Sequence, residues 1–305
     1  MTEQMTDDNT RAGFVALLGA PNAGKSTLMN AVVGQKISIV TPKVQTTRSR
    51  VRGIVMHENS QIIFVDTPGI FKPKRRLDRA MVSAAWQGAD DADTLLLLHD
   101  CARKKIDDDT LAIVASLKEL GRPVSLVLNK IDLVSPEQLL TRTKEMSDLM
   151  DFERVFMVSA EKENGLDDLI GWLAGEMMAG PYLFDPDDLS DLPMRLMAAE
   201  IMREKLFLNL HQELPYQLTV ETESWNDRED GSVEVRLTIY VQREGHRGIV
   251  LGKGGQTLKR IGSMARRELQ DVFERPVHLM SHVKFRKDWM DDKARYQDWD
   301  LDFNA

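Results

Sequence analysis

Residues Gly19-Ala20-Pro21-Asn22-Ala23-Gly24-Lys25-Ser26 match G-x-x-x-x-G-K-[ST] at every fixed position, and no other stretch constrains the fold of this chain so tightly. Five apolar residues, Phe14, Val15, Ala16, Leu17 and Leu18, lie just ahead of it and predict a buried strand. Behind it the sequence predicts a helix over Lys25–Val33 that stops at Gly34. Strand, glycine loop and helix in that order make a phosphate cradle. The glycines let the backbone curl so that successive N–H groups point inward, and the helix N-terminus adds partial positive charge. Lys25 reaches the terminal phosphates and Ser26 offers a hydroxyl to Mg²⁺, so Gly19 to Thr27 are assigned to phosphate binding.

A length of 305 residues predicts two domains, and 42% hydrophobic content suffices for proper cores. A net charge of −8 gives no global reason to expect nucleic acid. The charge is uneven, however: Arg243 to Lys287 holds 11 Lys/Arg against 4 Asp/Glu, which marks a face that meets an anion. Cys101 is the only cysteine, so no disulfide within the chain and no cysteine-based zinc site is expected, which suits a reducing compartment. The polar start, Met1 to Thr10, reads as disordered and as neither a signal peptide nor an anchor. No apolar run approaches membrane-spanning length.

Short apolar runs then alternate with helical patterns. Strands are predicted at Phe14–Leu18, Val51–His57, Gln61–Val65, Thr94–His99, Val124–Leu128 and Arg154–Val158. Helices are predicted at Lys25–Val33, Leu77–Gly88, Asp108–Leu120, Pro136–Met150 and Gly165–Met178. This alternation implies a mostly parallel sheet sandwiched by helices, with one antiparallel strand where Glu58-Asn59-Ser60 joins two strands as a three-residue turn. Gly180-Pro181 and Asp185-Pro186-Asp187-Asp188 mark a domain break near 180–193. Beyond it come a long helix, Pro193–Glu213, and period-2 runs at Tyr216–Glu223 and Ser232–Gln242. A glycine turn at 252–255, a helix at Gln256–Glu274 and a strand at Val277–Lys287 complete an α+β domain.

Three more segments, each directly after a predicted strand, complete the nucleotide site. In Asp66-Thr67-Pro68-Gly69, Asp66 suits Mg²⁺ through a water, and Gly69 offers its N–H to the γ-phosphate. In Asn129-Lys130-Ile131-Asp132, the Asp132 carboxylate accepts both guanine N1–H and the 2-amino group, a pair adenine lacks, so GTP and GDP are expected over adenine nucleotides. Asn129 would brace the loops, and the Lys130 stem would cover the base. In Val158-Ser159-Ala160, a backbone N–H of Ser159 or Ala160 would meet guanine O6. The four segments together resemble the GTPase superfamily over residues 11–180.

Val44-Gln45-Thr46-Thr47-Arg48-Ser49 carries no apolar period and reads as a loop in the position of a nucleotide-sensing switch. Thr47 is the first choice for its Mg²⁺-binding threonine and Thr46 the alternative. Ile70 follows Gly69 where many GTPases carry a glutamine that orients the attacking water, a task isoleucine cannot perform. Asn22 in the phosphate loop, read with Ile70, resembles a bacterial GTPase group that holds K⁺ beside the phosphates. The catalytic set expected is therefore Lys25, Thr47, Gly69 and Asn22, and the metal set Ser26, Thr47 and Asp66.

Gly252-Lys253-Gly254-Gly255 is a G-x-x-G turn between apolar Ile249-Val250-Leu251 and a helical pattern of Leu258, Ile261, Met264, Ala265 and Leu269. Arg247, Lys253, Lys259, Arg260, Arg266 and Arg267 surround it. Glycines at both ends allow close approach to a ribose-phosphate chain, so Gly252, Lys253, Gly254, Gly255, Arg247, Lys259 and Arg260 are assigned to RNA. The pattern resembles a KH domain over 195–287. His246 reads as a solvated loop residue, Trp225 as packing, and the 16 methionines as core filler.

The motifs at Gly19–Ser26, Gln45–Ser49, Asp66–Gly69, Asn129–Asp132 and Gly252–Gly255 together resemble the bacterial Era family along nearly the whole chain. The resemblance implies a P-loop GTPase domain at 11–180, a linker at 181–194, a type II KH domain at 195–288 and a tail at 289–305. It also implies a slow, Mg²⁺-dependent, K⁺-stimulated GTPase. The family acts as a cytoplasmic monomer that grips the 3′ end of 16S ribosomal RNA, assists small-subunit assembly and associates peripherally with the inner membrane. Two places depart from the family pattern, Leu98-His99-Asp100 and Arg286-Lys287-Asp288-Trp289, and neither is expected to touch the phosphate site. The mechanism expected is a nucleotide-gated RNA clamp in which GTP orders residues 41–50 and 69–76. Two other readings are a constitutive RNA-binding assembly factor with a structural GTP site and a membrane-surface regulatory GTPase.

Overall fold

The computed structural model describes residues 9–44 and 46–305. The disorder expected at the N-terminus falls mainly on residues outside that range, as does Gln45 of the switch loop. The chain divides into two compact units. The first takes the residues up to Ser38, Thr47–Asp191 and Tyr296–Ala305; the second takes Ile39–Thr46 and Leu192–Arg295.

The first unit contains β1 (Arg11–Leu18), α1 (Lys25–Val33), β2 (Val51–His57), β3 (Ser60–Asp66), α2 (Arg76–Asp91), β4 (Thr94–Asp100) and α3 (Asp108–Leu120). It continues with β5 (Ser125–Asn129), α4 (Pro136–Ser147), β6 (Val155–Val158), α5 (Leu166–Glu176) and the short β7 (Met178–Ala179). The strand order is β2-β3-β1-β4-β5-β6, with β7 pairing β1. β1, β3, β4, β5 and β6 run parallel and β2 antiparallel, as the hairpin required. All seven β3 residues are buried, because both faces of a parallel sheet lie under helices.

Local chemistry sets several boundaries. α1 ends where Gly34 turns left-handed at φ 76, and α3 starts where Asp107 accepts from Thr110 N and ends at Gly121 with φ 66. The β2–β3 turn is shorter than the expected three residues. Ser60 pairs with His57, and Glu58 at φ 50 supplies the left-handed residue that a two-residue turn needs.

Residues 181–191, expected as part of a linker, pack with this unit. The buried Gln61 amide accepts from Leu183 N at 2.8 Å and Phe184 N at 3.0 Å and donates to Phe184 O at 2.9 Å. Ile54 N donates to Leu189 O along β2, and Arg52 pairs with Asp191. Tyr296–Ala305 also belongs here. Tyr296 meets Trp299 at a tilt and Phe303 edge to face, Arg48 lies over Trp299, Arg76 over Phe303, and Arg50 pairs with Asp300 at 2.5 Å. Ending the chain at Arg295 should lower the stability of this unit by about 2–4 kcal/mol, since Tyr296 and Leu301 are buried. Calorimetry of the shortened protein checks this.

The second unit contains α6 (Met194–Asn209), β8 (Leu218–Asp227), β9 (Val233–Val241), α7 (Glu244–Leu251), α8 (Gln256–Phe273) and β10 (Val277–Phe285), and α9 (Lys293–Asp298) follows it in the chain. The sheet order is β10-β9-β8, with β10 parallel and β8 antiparallel to β9. This α-β-β-α-α-β order is the type II KH arrangement that the family resemblance implies. α6 is shorter than the expected Pro193–Glu213, and Leu214–Gln217 forms a separate 3₁₀ turn around Pro215, which has no N–H to continue a helix. β8 runs on past Glu223 to Asp227 because a bulge between Thr222 and Ser224 shifts the alternation. Trp225 packs against Phe273 at 5.4 Å between centroids, a packing role as expected.

α7 was not anticipated: Ile249-Val250-Leu251 is its last turn, and His246 sits in its first turn rather than in a loop. Ile261, Ala265 and Leu269 on α8 recur at helical spacing and are buried, while Lys259, Arg260, Arg266 and Arg267 lie on its more exposed side. α6 buries three consecutive charged residues, Arg203, Glu204 and Lys205. Arg203 donates to Thr46 O and pairs with Glu200, while Lys205 pairs with Glu204 and Glu268. Val40 N donates to Glu204 Oε1 at 2.9 Å, and Lys43 Nζ donates to Leu210 O at 2.6 Å. These bonds offset the cost of burying the charges, and they fasten Ile39–Thr46 to α6.

Candidate functional site

Because β1, β3, β5 and β6 are parallel, the segments after Leu18, Asp66, Asn129 and Val158 reach one edge of the sheet. Close approach dictates the glycines there. A Cβ on Gly19 would lie 2.7 Å from Leu98 O, and one on Gly24 would overlap the Asn129 amide. A Cβ on Gly69 would lie 3.0 Å from Pro21 Cα, so only glycine brings the strand-3 loop against the phosphate loop. Ile70 N donates to Gly19 O at 3.2 Å, and Thr67 Oγ1 donates to Leu17 O at 2.7 Å, which holds the two loops together. Pro68 is buried beside them, and the Ile70 side chain packs in the apolar cluster with Ala20 and Cys101.

Lys25 is nearly buried, and its Nζ donates to Gly19 O at 2.9 Å and to Ala20 O at 3.3 Å. Burial lowers its pKa to about 8, and the Arg103 charge pushes the same way against the pull of Asp66. Ser26 Oγ lies 2.9 Å from Thr47 Oγ1 and donates to Asp66 Oδ2 at 2.6 Å. Thr47 Oγ1 reaches the same oxygen at 3.3 Å. Thr46 points elsewhere, with its hydroxyl at 2.6 Å from Thr41 Oγ1, so the geometry separates the two candidate threonines. Thr27 stands half-buried in the first turn of α1.

The corner formed by Ser26, Thr47 and Asp66 suits Mg²⁺. Asp66 is fully buried, burial raises its pKa, and its Oδ1 has no hydrogen-bond partner among the described residues. Two hydroxyls and a dry carboxylate with a spare oxygen form an all-oxygen donor set that a hard divalent cation would satisfy. Bound there, Mg²⁺ would neutralise phosphate charge. Ser38 was missed by sequence reasoning. Its hydroxyl donates to Asp66 Oδ2 at 3.0 Å, and Asn30 Oδ1 fixes its backbone N at 2.9 Å.

At the base end, Asn129 Nδ2 donates to Ala23 O at 3.0 Å while its Oδ1 accepts from Lys130 N and Ala160 N. Both N–H groups expected as candidates for guanine O6 thus have partners here, Ala160 N on Asn129 and Ser159 N on Asn164 O at 3.0 Å. Lys130, left-handed at φ 64, sends Nζ to Asn22 O at 2.9 Å and to Asp100 Oδ2 at 2.7 Å. Asp132 lies exposed in the 3₁₀ turn Ile131–Leu133, and Ser159 Oγ donates to its Oδ1 at 2.5 Å, which aims the carboxylate. The expectation that Leu98-His99-Asp100 stands clear of the phosphate site is corrected here: Leu98 O abuts Gly19, and Asp100 holds Lys130. Asn22 is exposed at φ 64, a left-handed turn that asparagine tolerates.

Next to this site Cys101 is 2% exposed, and burial together with the Asp100 carboxylate pushes its thiol up to about 12. Ellman's reagent at pH 8 should therefore read no thiol in the folded protein and one after denaturation.

In the second unit the G-x-x-G loop takes backbone angles that favour glycine: φ 71 at Gly252, 59 at Gly254 and 77 at Gly255. A Cβ on Gly252 would overlap the Thr257 side chain, whereas one on Gly254 or Gly255 would meet nothing within 4 Å. The exposed Lys253, Lys259, Arg260 and Arg247 stand around this loop, which opens α8. Ile249, 57% exposed on α7, adds an apolar side chain whose exposure no sequence pattern revealed.

A carboxylate placed to read a base edge, on the same sheet edge as a phosphate cradle, defines the first unit as a guanine-nucleotide P-loop GTPase, and the second has the fold of a KH domain. Residues 14–130 match the family described as 50S ribosome-binding GTPase, and residues 213–290 match the KH domain family. The chain belongs to the Era family of GTPases. It is 53% identical to GTPase Era of Rhizobium meliloti over 99% of both chains, and 55% identical to GTPase Era of Afipia carboxidovorans over 96% of this chain and 95% of that one. Among solved structures, a point variant of Aquifex aeolicus Era bound to GDP·AlF₄⁻ superposes with a TM-score of 0.89 at 36% identity, covering 95% of this chain and 99% of the other. Era in complex with MgGDPNP and nucleotides 1506–1542 of 16S ribosomal RNA superposes at 0.90, also at 36% identity, with the same coverage.

Proposed function

We propose that this GTPase uses its nucleotide cycle to control the grip of its KH unit on single-stranded RNA, and that the RNA is the 3′ end of 16S ribosomal RNA during small-subunit assembly. The observation that carries this reading is the peptide between Thr46 and Thr47. Thr47 Oγ1 stands at the Mg²⁺ corner, 2.9 Å from Ser26 Oγ, while Thr46 O accepts from the buried Arg203 of α6. Neighbouring residues thus answer to the nucleotide and to the KH unit. GTP would draw Thr47 to the metal, and loss of the γ-phosphate would release it. The relative solved with MgGDPNP and 16S RNA supports the choice of ligand. RNA affinity for a strand spanning that 3′ end should be higher with a non-hydrolysable GTP analogue than with GDP. Equal affinities would remove the gating.

The same reading gives Asn22 a monovalent cation. With the Ile70 side chain buried in the core, the residue after Gly69 presents no polar group to the attacking water. A cation held by Asn22 would supply charge beside the phosphates. GTP turnover should be faster in K⁺ than in Na⁺ buffer, and equal rates would remove the cation.

A further inference from the structure

Three successive carbonyls of the phosphate loop are each held by one side chain. Arg103 Nη2 donates to Pro21 O at 2.5 Å, Lys130 Nζ to Asn22 O at 2.9 Å, and Asn129 Nδ2 to Ala23 O at 3.0 Å. Asn129 and Lys130 come from the guanine-reading segment. Arg103 comes from none of the nucleotide motifs: it lies in the turn between β4 and α3. Its guanidinium pairs with Asp107, the residue that caps α3, and its Nε lies 3.9 Å from Asp100 Oδ2. Asp100 also accepts from Lys130 at 2.7 Å, so one carboxylate steadies two of the three donors.

We propose that Arg103 is a positioning residue for GTP hydrolysis, acting through the Pro21–Asn22 peptide. A trans peptide carries its C=O and N–H on opposite sides. Fixing Pro21 O on Arg103 therefore turns Asn22 N–H toward the opposite face, the one a phosphate cradle presents to its ligand. A hydrogen bond from a charged donor also polarises the amide, which makes its N–H a stronger donor. Gly69 confines Pro21 from another direction, since a Cβ there would lie 3.0 Å from Pro21 Cα. The peptide is thus held before the nucleotide arrives. A donor fixed in advance acts most strongly where negative charge grows as the bond to the γ-phosphoryl group breaks, so its effect falls on the transition state more than on bound GDP.

The test compares the full-length R103A and R103K variants with the parent protein, reading kcat and KM for GTP and Kd for GDP. R103A should lower kcat by about ten- to a hundredfold while GDP affinity moves by less than about threefold. R103K keeps a cationic donor and should recover kcat to within about fivefold of the parent. The proposal is overturned if R103A leaves kcat within about twofold. It is equally overturned if GDP affinity falls as far as kcat, which is what general slackening of the loop would give, or if R103K is as slow as R103A. Should R103A fail to fold, R103Q, which can donate without charge, is expected to lie between R103K and a tenfold loss, and parent-like turnover in R103Q overturns the role of the charge.

Discussion

Replacing Asp132 with asparagine should move the protein from guanine to xanthine nucleotides, with GDP affinity falling by at least about a hundredfold and XDP affinity rising by a comparable factor. An aspartate carboxylate accepts from both N1–H and the 2-amino group of guanine. Asparagine accepts at one atom and donates at the other, so its NH₂ would face the 2-amino group donor to donor. Xanthine carries an oxygen at that position and restores the pair. The side chain is exposed, and its Oδ1 accepts from Ser159 Oγ, a bond that an asparagine oxygen can keep, so the loop should hold its shape. Competition binding with GDP and XDP reads both halves of the change. GDP affinity within about threefold of the parent would show that Asp132 does not read the base.

The second large effect concerns RNA. Gly254→Asp should weaken binding of single-stranded RNA by about ten- to a hundredfold and leave GTP turnover within about twofold. The position sits at φ 59, which aspartate tolerates, and a Cβ there meets nothing within 4 Å, so the new side chain fits. What changes is the charge, a carboxylate set in a loop shaped to approach phosphate. Gly252→Ala is a different perturbation, because its Cβ would overlap Thr257 at the start of α8 and deform the loop itself. Filter binding with both variants separates charge from shape. Unchanged affinity in Gly254→Asp would mean that the RNA passes elsewhere.

The nucleotide site was legible because its requirements are local. A loop that wraps phosphate needs glycines at fixed spacing, and a parallel sheet brings the loops leaving its strands to one edge, so Gly19–Ser26, Asp66–Gly69 and Asn129–Asp132 declare themselves. The ends of α1 and α3 were legible for the same reason, since Gly34, Asp107 and Gly121 act within one turn. Contacts between residues remote in sequence were not legible. Ser38 carries no motif that ties it to Asp66, nor Arg103 one that ties it to Pro21. α7 was hidden because it is only eight residues long and holds two glycines, which read as a turn. Nor does any local pattern show that three consecutive charges of α6 are buried: Arg203 and Glu204 bond the remote Thr46 and Val40, and Lys205 pairs with Glu268.

Tyr296–Ala305 packs with the first unit although the whole of the second unit precedes it in the chain. A ribosome therefore synthesises Leu192–Arg295 before it releases the residues that finish the GTPase unit. At a typical rate of about 5–20 residues per second, the nascent P-loop domain waits on the order of 5–20 s with the surface around Arg48, Arg50 and Arg76 uncovered. Ile39–Thr46 waits in the same way for α6, which is made about 150 residues later. The order of synthesis thus runs against the order of the units: the second has all its residues at Arg295, while the first still waits for Tyr296–Ala305.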